Sequence, residues 1–145
     1  MPYQFLDDIA TADVAFKAWG QTQEELFTSS SDALMNVMVE NLESISRKEK
    51  KELRLQNDSL EMLLFDFLGE FIFYKDAQRL LLRVAAIRID EKTPGVRHQL
   101  TADLRGERMD IRKHHFNVDV KAVTLHRFEV KPSPQGWEAS VVLDI

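Results

Sequence analysis

Two aspartates stand where the pattern of a strand leaves a carboxylate free to bind. From Ala12 to Trp19 the chain alternates, with Val14, Phe16 and Ala18 on one side and Asp13, Ala15 and Lys17 on the other. That period of two marks a half-buried strand, and its polar side carries Asp13. Near the other end of the sequence Asp144 is followed by Ile145, whose carboxylate offers a second oxygen group one residue away. If strand order brings Asp13 beside that end, three carboxylates gather, and like charges so close are tolerated only when a cation or a lysine joins them. Oxygen-only donors select a hard cation such as calcium or magnesium. The competing reading is that both aspartates are solvated strand ends, since exposed Asp is common.

Lys121 is the nearest candidate counter-charge in kind. In Lys121-Ala-Val-Thr-Leu-His126 an extended chain puts Ala122, Thr124 and His126 on one face and Lys121, Val123 and Leu125 on the other. A lone strand lysine is commonly a solvated edge residue that blocks aggregation; here it is also a candidate to answer the carboxylates or touch a partner. The four histidines, His98, His114, His115 and His126, make a weaker case. The adjacent pair points in opposite directions when extended, so these are read as surface or packing residues. The 5 glycines form no Walker or Gly-x-Gly-x-x-Gly loop, Gly-x-Ser-x-Gly is missing, and 0 cysteines rule out thiol chemistry, thiolate metal sites and disulfides together. Hydrolase and kinase readings have no motif to stand on.

Gly20 ends the first strand, and Thr22-Gln-Glu-Glu25 is a capping box that starts a helix running to about Asn41. The mixed-charge run Arg47 to Glu52 reads as a solvated turn leading into a short strand from Glu52 to Gln56. Asp58-Ser-Leu-Glu61 opens a second helix whose wide apolar face includes Leu63, Leu64, Phe67, Leu68, Phe71 and Ile72. After Ala77 four strands are expected, over Leu80–Asp90, Val96–Arg105, Val118–Val130 and Trp137–Leu143, with turns at Lys92–Gly95 and Pro132–Gly136. The expectation is a single α+β domain over residues 1–145, a mixed, mostly antiparallel sheet with two helices packed on one face and the other face free to hold a site.

Length and composition agree: 145 residues make one domain, and 44% hydrophobic with 30% charged residues describes an ordinary globular chain. A net charge of -5 repels phosphate, so strong direct nucleic-acid binding is not expected. The apolar stretch Leu60–Tyr74 is broken by Asp66 and Glu70 and is too short to span a membrane. The start MPYQFLDDIATADVAF has no basic region before an apolar run, so a cytoplasmic protein is expected.

Thr11-Ala-Asp13-Val, Leu63-Leu-Phe-Asp66-Phe-Leu-Gly-Glu70, Val120-Lys-Ala-Val-Thr124-Leu-His126 and the Asp144-Ile145 ending together resemble the archease family, in the same order from about Tyr3 to Ile145. Gly20, Leu26, Phe27 and the Gly136-Trp137 turn extend the likeness. The resemblance implies an accessory protein rather than an enzyme. Its partner would be the tRNA-splicing RNA ligase, which joins 3'-phosphate or 2',3'-cyclic-phosphate RNA ends to 5'-hydroxyl ends. It would promote the ligase's guanylylation with GTP and its multiple turnover. It also implies a divalent cation, calcium first and magnesium second, on Asp13, Asp144 and Ile145, and a part for Lys121 in ligase activation. One departure is Ala10, where the family usually has the His of His-Thr-Ala-Asp; that His could orient or supplement the site. Two other classes are carried forward: a general chaperone or adaptor for RNA-processing proteins, and a metal-dependent small-molecule enzyme on the same carboxylates.

Overall fold

The computed structural model describes residues 2–6, 13–91 and 97–145. Strand β1 (Tyr3–Leu6) pairs with β2 (Asp13–Gly20), and helix α1 (Gln23–Met38) follows. After a short 3-10 turn at Leu42–Ser44 come β3 (Glu49–Asn57), α2 (Leu60–Gln78), β4 (Leu80–Glu91), β5 (His98–Arg108), β6 (Ala122–Ser133) and β7 (Gly136–Asp144). The antiparallel α+β arrangement with both helices on one sheet face is what forms, and it forms twice. One sheet has the order β1-β2-β7-β6 and the other β3-β5-β4, every described pairing being antiparallel. Helix α1 touches β2 and β7 of the first sheet and β4 of the second; α2 touches β6 on one side and β3, β4 and β5 on the other. The helices are therefore the filling between two sheets, which is why α2 is apolar nearly all round.

Local chemistry sets the helix ends. Thr22 caps α1 by accepting the Glu25 N–H at 3.1 Å, while the Glu25 carboxylate accepts from Gln21 N–H at 2.7 Å, one residue further back than a standard box. The serines in α1 are buried at little cost because Ser29 and Ser30 donate to the carbonyls of Glu25 and Leu26, each at 2.8 Å. Ser59, not Asp58, caps α2, accepting from Met62 N–H at 3.2 Å. Phe67, Leu63, Leu64 and Leu68 are fully buried in the central layer. Truncating Phe67 to alanine would cost about 3–5 kcal/mol.

Two expectations shift. The charged run does not form a turn, because β3 already begins at Glu49; it is an edge strand, where charge blocks unwanted pairing, and Lys51 lies 5.7 Å from the Tyr74 ring centre. The segment read as a strand from Val118 becomes one only at Ala122. Tight turns join the later strands as expected between β6 and β7, where Ser133 pairs with Gly136. The Lys92–Gly95 turn lies outside the described residues. Among these residues no helix is long and apolar enough to cross a membrane.

Candidate functional site

Register, not spacing, brings the two aspartates together. In the β2–β7 pair Asp13 lies directly opposite Asp144, and on the other side Asp144 lies opposite Ala122 of β6. Val14, Phe16 and Ala18 and their partners Leu143, Val141 and Ala139 point into the core, so Asp13 and Asp144 share the outer face of the sheet. Directly opposed side chains on one face have Cβ atoms about 4.5–5.5 Å apart, close enough for both carboxylates to hold one cation. Without one, like charges in that position destabilise the pair by about 0.2–1 kcal/mol. Both aspartates are half-buried, and the next pair along the same face, Ala15 and Val142, is buried. Further along, Lys17 and Glu138 form an ion pair at 3.3 Å.

Ile145 follows directly, and its side chain packs against the core, which fixes the backbone at this end of β7. Its main-chain oxygens thus sit one residue from the opposed aspartates. The donor chemistry fits a hard, oxygen-seeking cation in part: two facing carboxylates and adjacent main-chain oxygen. Among the described residues no three of His, Cys, Asp and Glu gather in a metal-holding arrangement. Ala10 lies outside those residues.

Lys121 reaches the same place by its backbone. Its N–H donates to the Asp144 carbonyl at 2.8 Å, while its side chain is exposed and forms no ion pair among the described residues. The loop that delivers it, residues 109–121, lacks regular structure and is pinned at several points. Glu40 N–H donates to the His115 carbonyl and Asn117 N–H to the Met38 carbonyl, each at 2.9 Å. Lys75, on the otherwise apolar face of α2, is buried and donates to the Asp119 carboxylate and, at 2.9 Å, to the Val120 carbonyl. Burial pushes the Lys75 ammonium down, but Asp119 and Asp76 outweigh it, so its pKa is raised.

A second anchor lies at the loop's start. One oxygen of the buried Glu107, Oε2, accepts from Lys113 Nζ at 2.6 Å and Ser46 N–H at 2.7 Å, and lies 2.9 Å from His114 Nε2. Asp110 N–H donates to His114 Nδ1 at 3.0 Å, so in the neutral ring the proton sits on Nε2 and points at Glu107. Burial raises the Glu107 carboxyl, but Lys113, Ser46 and His114 overcome that and hold it at about 2. His114 is accordingly a packing histidine and His115 is exposed, the opposite directions expected of the pair.

Neither Lys75 nor Glu107 was among the sequence's candidate residues. A signal existed for Lys75, which falls four residues after Phe71 on the apolar stripe of α2. None marks Glu107, whose partners come from two separated segments, Ser46 on one side and Lys113 with His114 on the other.

The archease protein family model matches residues 3–145 of this chain. "Protein archease" of Methanosarcina barkeri is 33% identical over 144 residues, covering 99% of this chain and 95% of that protein. Its counterpart in Pyrococcus abyssi is 34% identical over 136 residues, covering 93% and 94%. Among solved structures, the solution structure of protein 1598 of Methanobacterium thermoautotrophicum superposes with a TM-score of 0.84 at 29% identity, covering 99% of each chain. The crystal structure of a Thermotoga maritima archease, described there as "possible chaperone", shares the fold with a TM-score of 0.64 at 22% identity, covering 98% of each chain.

Proposed function

Because this chain belongs to the archease family, we propose that it is a cytoplasmic accessory protein of the tRNA-splicing RNA ligase. In this reading it is not itself an enzyme. It promotes the ligase's guanylylation with GTP and lets each ligase molecule turn over repeatedly. The observation that carries the reading is the direct opposition of Asp13 and Asp144 at the end of the β2–β7 pair, with the Lys121 backbone N–H bonded to the Asp144 carbonyl. Asp13 and Asp144, with an oxygen of Ile145, would hold calcium, or magnesium in its place, and Lys121 would contact the ligase. A bound cation would neutralise the carboxylates and offer positive charge to phosphate oxygens in the ligase's cleft. The protein's own part is to present that group on a rigid strand pair and to favour the ligase conformation competent for guanylylation. Its charge of -5 suits a partner surface built for RNA and GTP, which should be basic.

A protein partner is favoured over small-molecule chemistry by where the space lies. The carboxylates sit half-buried at one end of the central β2–β7 pair, away from a cleft of about 1100 Å³ that opens around Trp19, Glu24 and Gly136 at the far end of β2. The test is ligation of a 2',3'-cyclic-phosphate RNA at substoichiometric cognate ligase with GTP, with this protein or its Asp144→Ala variant. Multiple turnovers are expected with the unmodified protein alone. Equal turnover with a folded variant would sink the proposal, and no stimulation by either protein would move the adaptor reading to the front.

A further inference from the structure

The cleft at the far end of β2 is separate from the carboxylate pair: the 8 residues of that strand put about 23 Å between its two ends. Its walls come from Trp19 and Gly20 of the first sheet, Val84 to Ile87 of the second, and the Pro134–Gly136 turn, with Thr28 and Ser29 of α1 beneath. The hydroxyls beneath are already used, Thr28 donating to the Glu24 carbonyl at 2.9 Å and Ser29 to the Glu25 carbonyl at 2.8 Å. The cleft therefore behaves as a mainly apolar channel with two carboxylates, Glu24 and Glu25, and, among the described residues, no basic side chain along it.

One wall is an open strand edge. Among the described residues β4 is an outer strand of its sheet, paired on one side only, by β5. Ile89 N–H points away from β5 and donates to the Glu24 carboxylate at 3.2 Å, so strand alternation places the N–H and C=O of Ile87 on the same outward side. Just before it the register shifts between Val84 and Ala86, a bulge at which Ala85 and Ala86 are exposed. Two methyl side chains at a bulge leave room for another backbone to approach.

We infer that this cleft is a docking site for an extended basic peptide segment of a partner protein, which adds as a strand to the β4 edge at Ala85–Ile87 and places Lys or Arg side chains against Glu24 and Glu25. Main-chain bonds to the edge would supply affinity and the carboxylates would select for basic side chains. Each carboxylate spends one oxygen on a backbone N–H, Ile89 for Glu24 and Gln21 for Glu25, and retains acceptor capacity for a cation. Trp19 supplies an aromatic surface for the side chains between the bases. The inference does not depend on ligase activation.

Binding is tested on the full chain by amide NMR with three blocked hexapeptides: alternating valine and lysine, alternating valine and glutamate, and the lysine peptide N-methylated at alternate residues. The expected result is saturable shifts at Ala85, Ala86 and Ile87 and at the Trp19 indole with the first peptide only. Ala86→Lys, an exposed change that adds a like charge, should weaken that binding by about threefold or more. No saturable shift at millimolar lysine peptide would overturn the inference. So would equal binding of the glutamate or N-methylated peptide, the latter making the cleft a pocket for organic cations rather than a strand acceptor.

Discussion

Replacing Glu107 with glutamine keeps the side chain's shape and its ability to accept a hydrogen bond but removes the charge that Lys113 faces at 2.6 Å. Folding moves this carboxyl from 4.5 to about 2, which corresponds to roughly 3 kcal/mol of favourable interaction. Water reaching the exposed end of Lys113 screens the pair, leaving about 1–2 kcal/mol. A carboxyl whose pKa is lowered on folding contributes fully above its unfolded value. The contribution shrinks as pH falls from 4.5 and is gone below about 2. Urea denaturation followed by circular dichroism should therefore show Glu107→Gln less stable than the unmodified protein at pH 7. The gap should close progressively as the pH is lowered through that window. Hydrogen exchange should quicken first in residues 109–121, whose Lys113 and His114 the Glu107 oxygen ties to Ser46. A gap that is the same at every pH, or none at pH 7, would refute the assignment of this oxygen as a charged anchor.

Other perturbations have equally definite outcomes. Lys75→Met leaves the Val120 carbonyl without its donor and should cost about 1–3 kcal/mol by chemical denaturation. Ligase stimulation should fall with it, since Lys121 is the next residue along. Glu61→Ala frees the Val130 N–H that this carboxylate holds at 3.0 Å on the outer edge of β6, and light scattering on heating should show earlier aggregation. Calcium at about a hundred times its dissociation constant should stabilise the protein by about 2.7 kcal/mol. That corresponds to a rise in melting temperature of about 5–10 °C, which Asp144→Asn should lose.

What was legible in the sequence was what short-range chemistry decides. Thr22 and Glu25 mark the start of α1 because a cap is settled within four residues, and the alternation of Asp13 to Trp19 gives away β2 because one face is buried. β1 was not foreseen, since four residues carry too little pattern, and their strand character comes from pairing with β2. The division of the strands into two sheets could not be read locally either: nothing near Leu100 tells it to pair with β3 and β4 while Val142 pairs with β2 and β6. The carboxylate pair shows the same limit. The residues and their chemistry were readable, but the meeting of Asp13 with Asp144 was conditional on strand order. Lys121 was readable as a candidate, whereas the buried contacts of Lys75 and Glu107 that hold its loop depend on tertiary packing.

The pairing of Asp13 with Asp144 also ties the site to the history of the chain. These residues lie near opposite ends of the sequence, so their pairing closes nearly the longest loop available, and such contacts are slow to form. A ribosome-bound chain still missing β7 has only one of the two aspartates and no strand to set it against. Under the proposed reading the carboxylate pair would exist only once β7 has been made and paired, so a half-made or partly unfolded molecule would lack it.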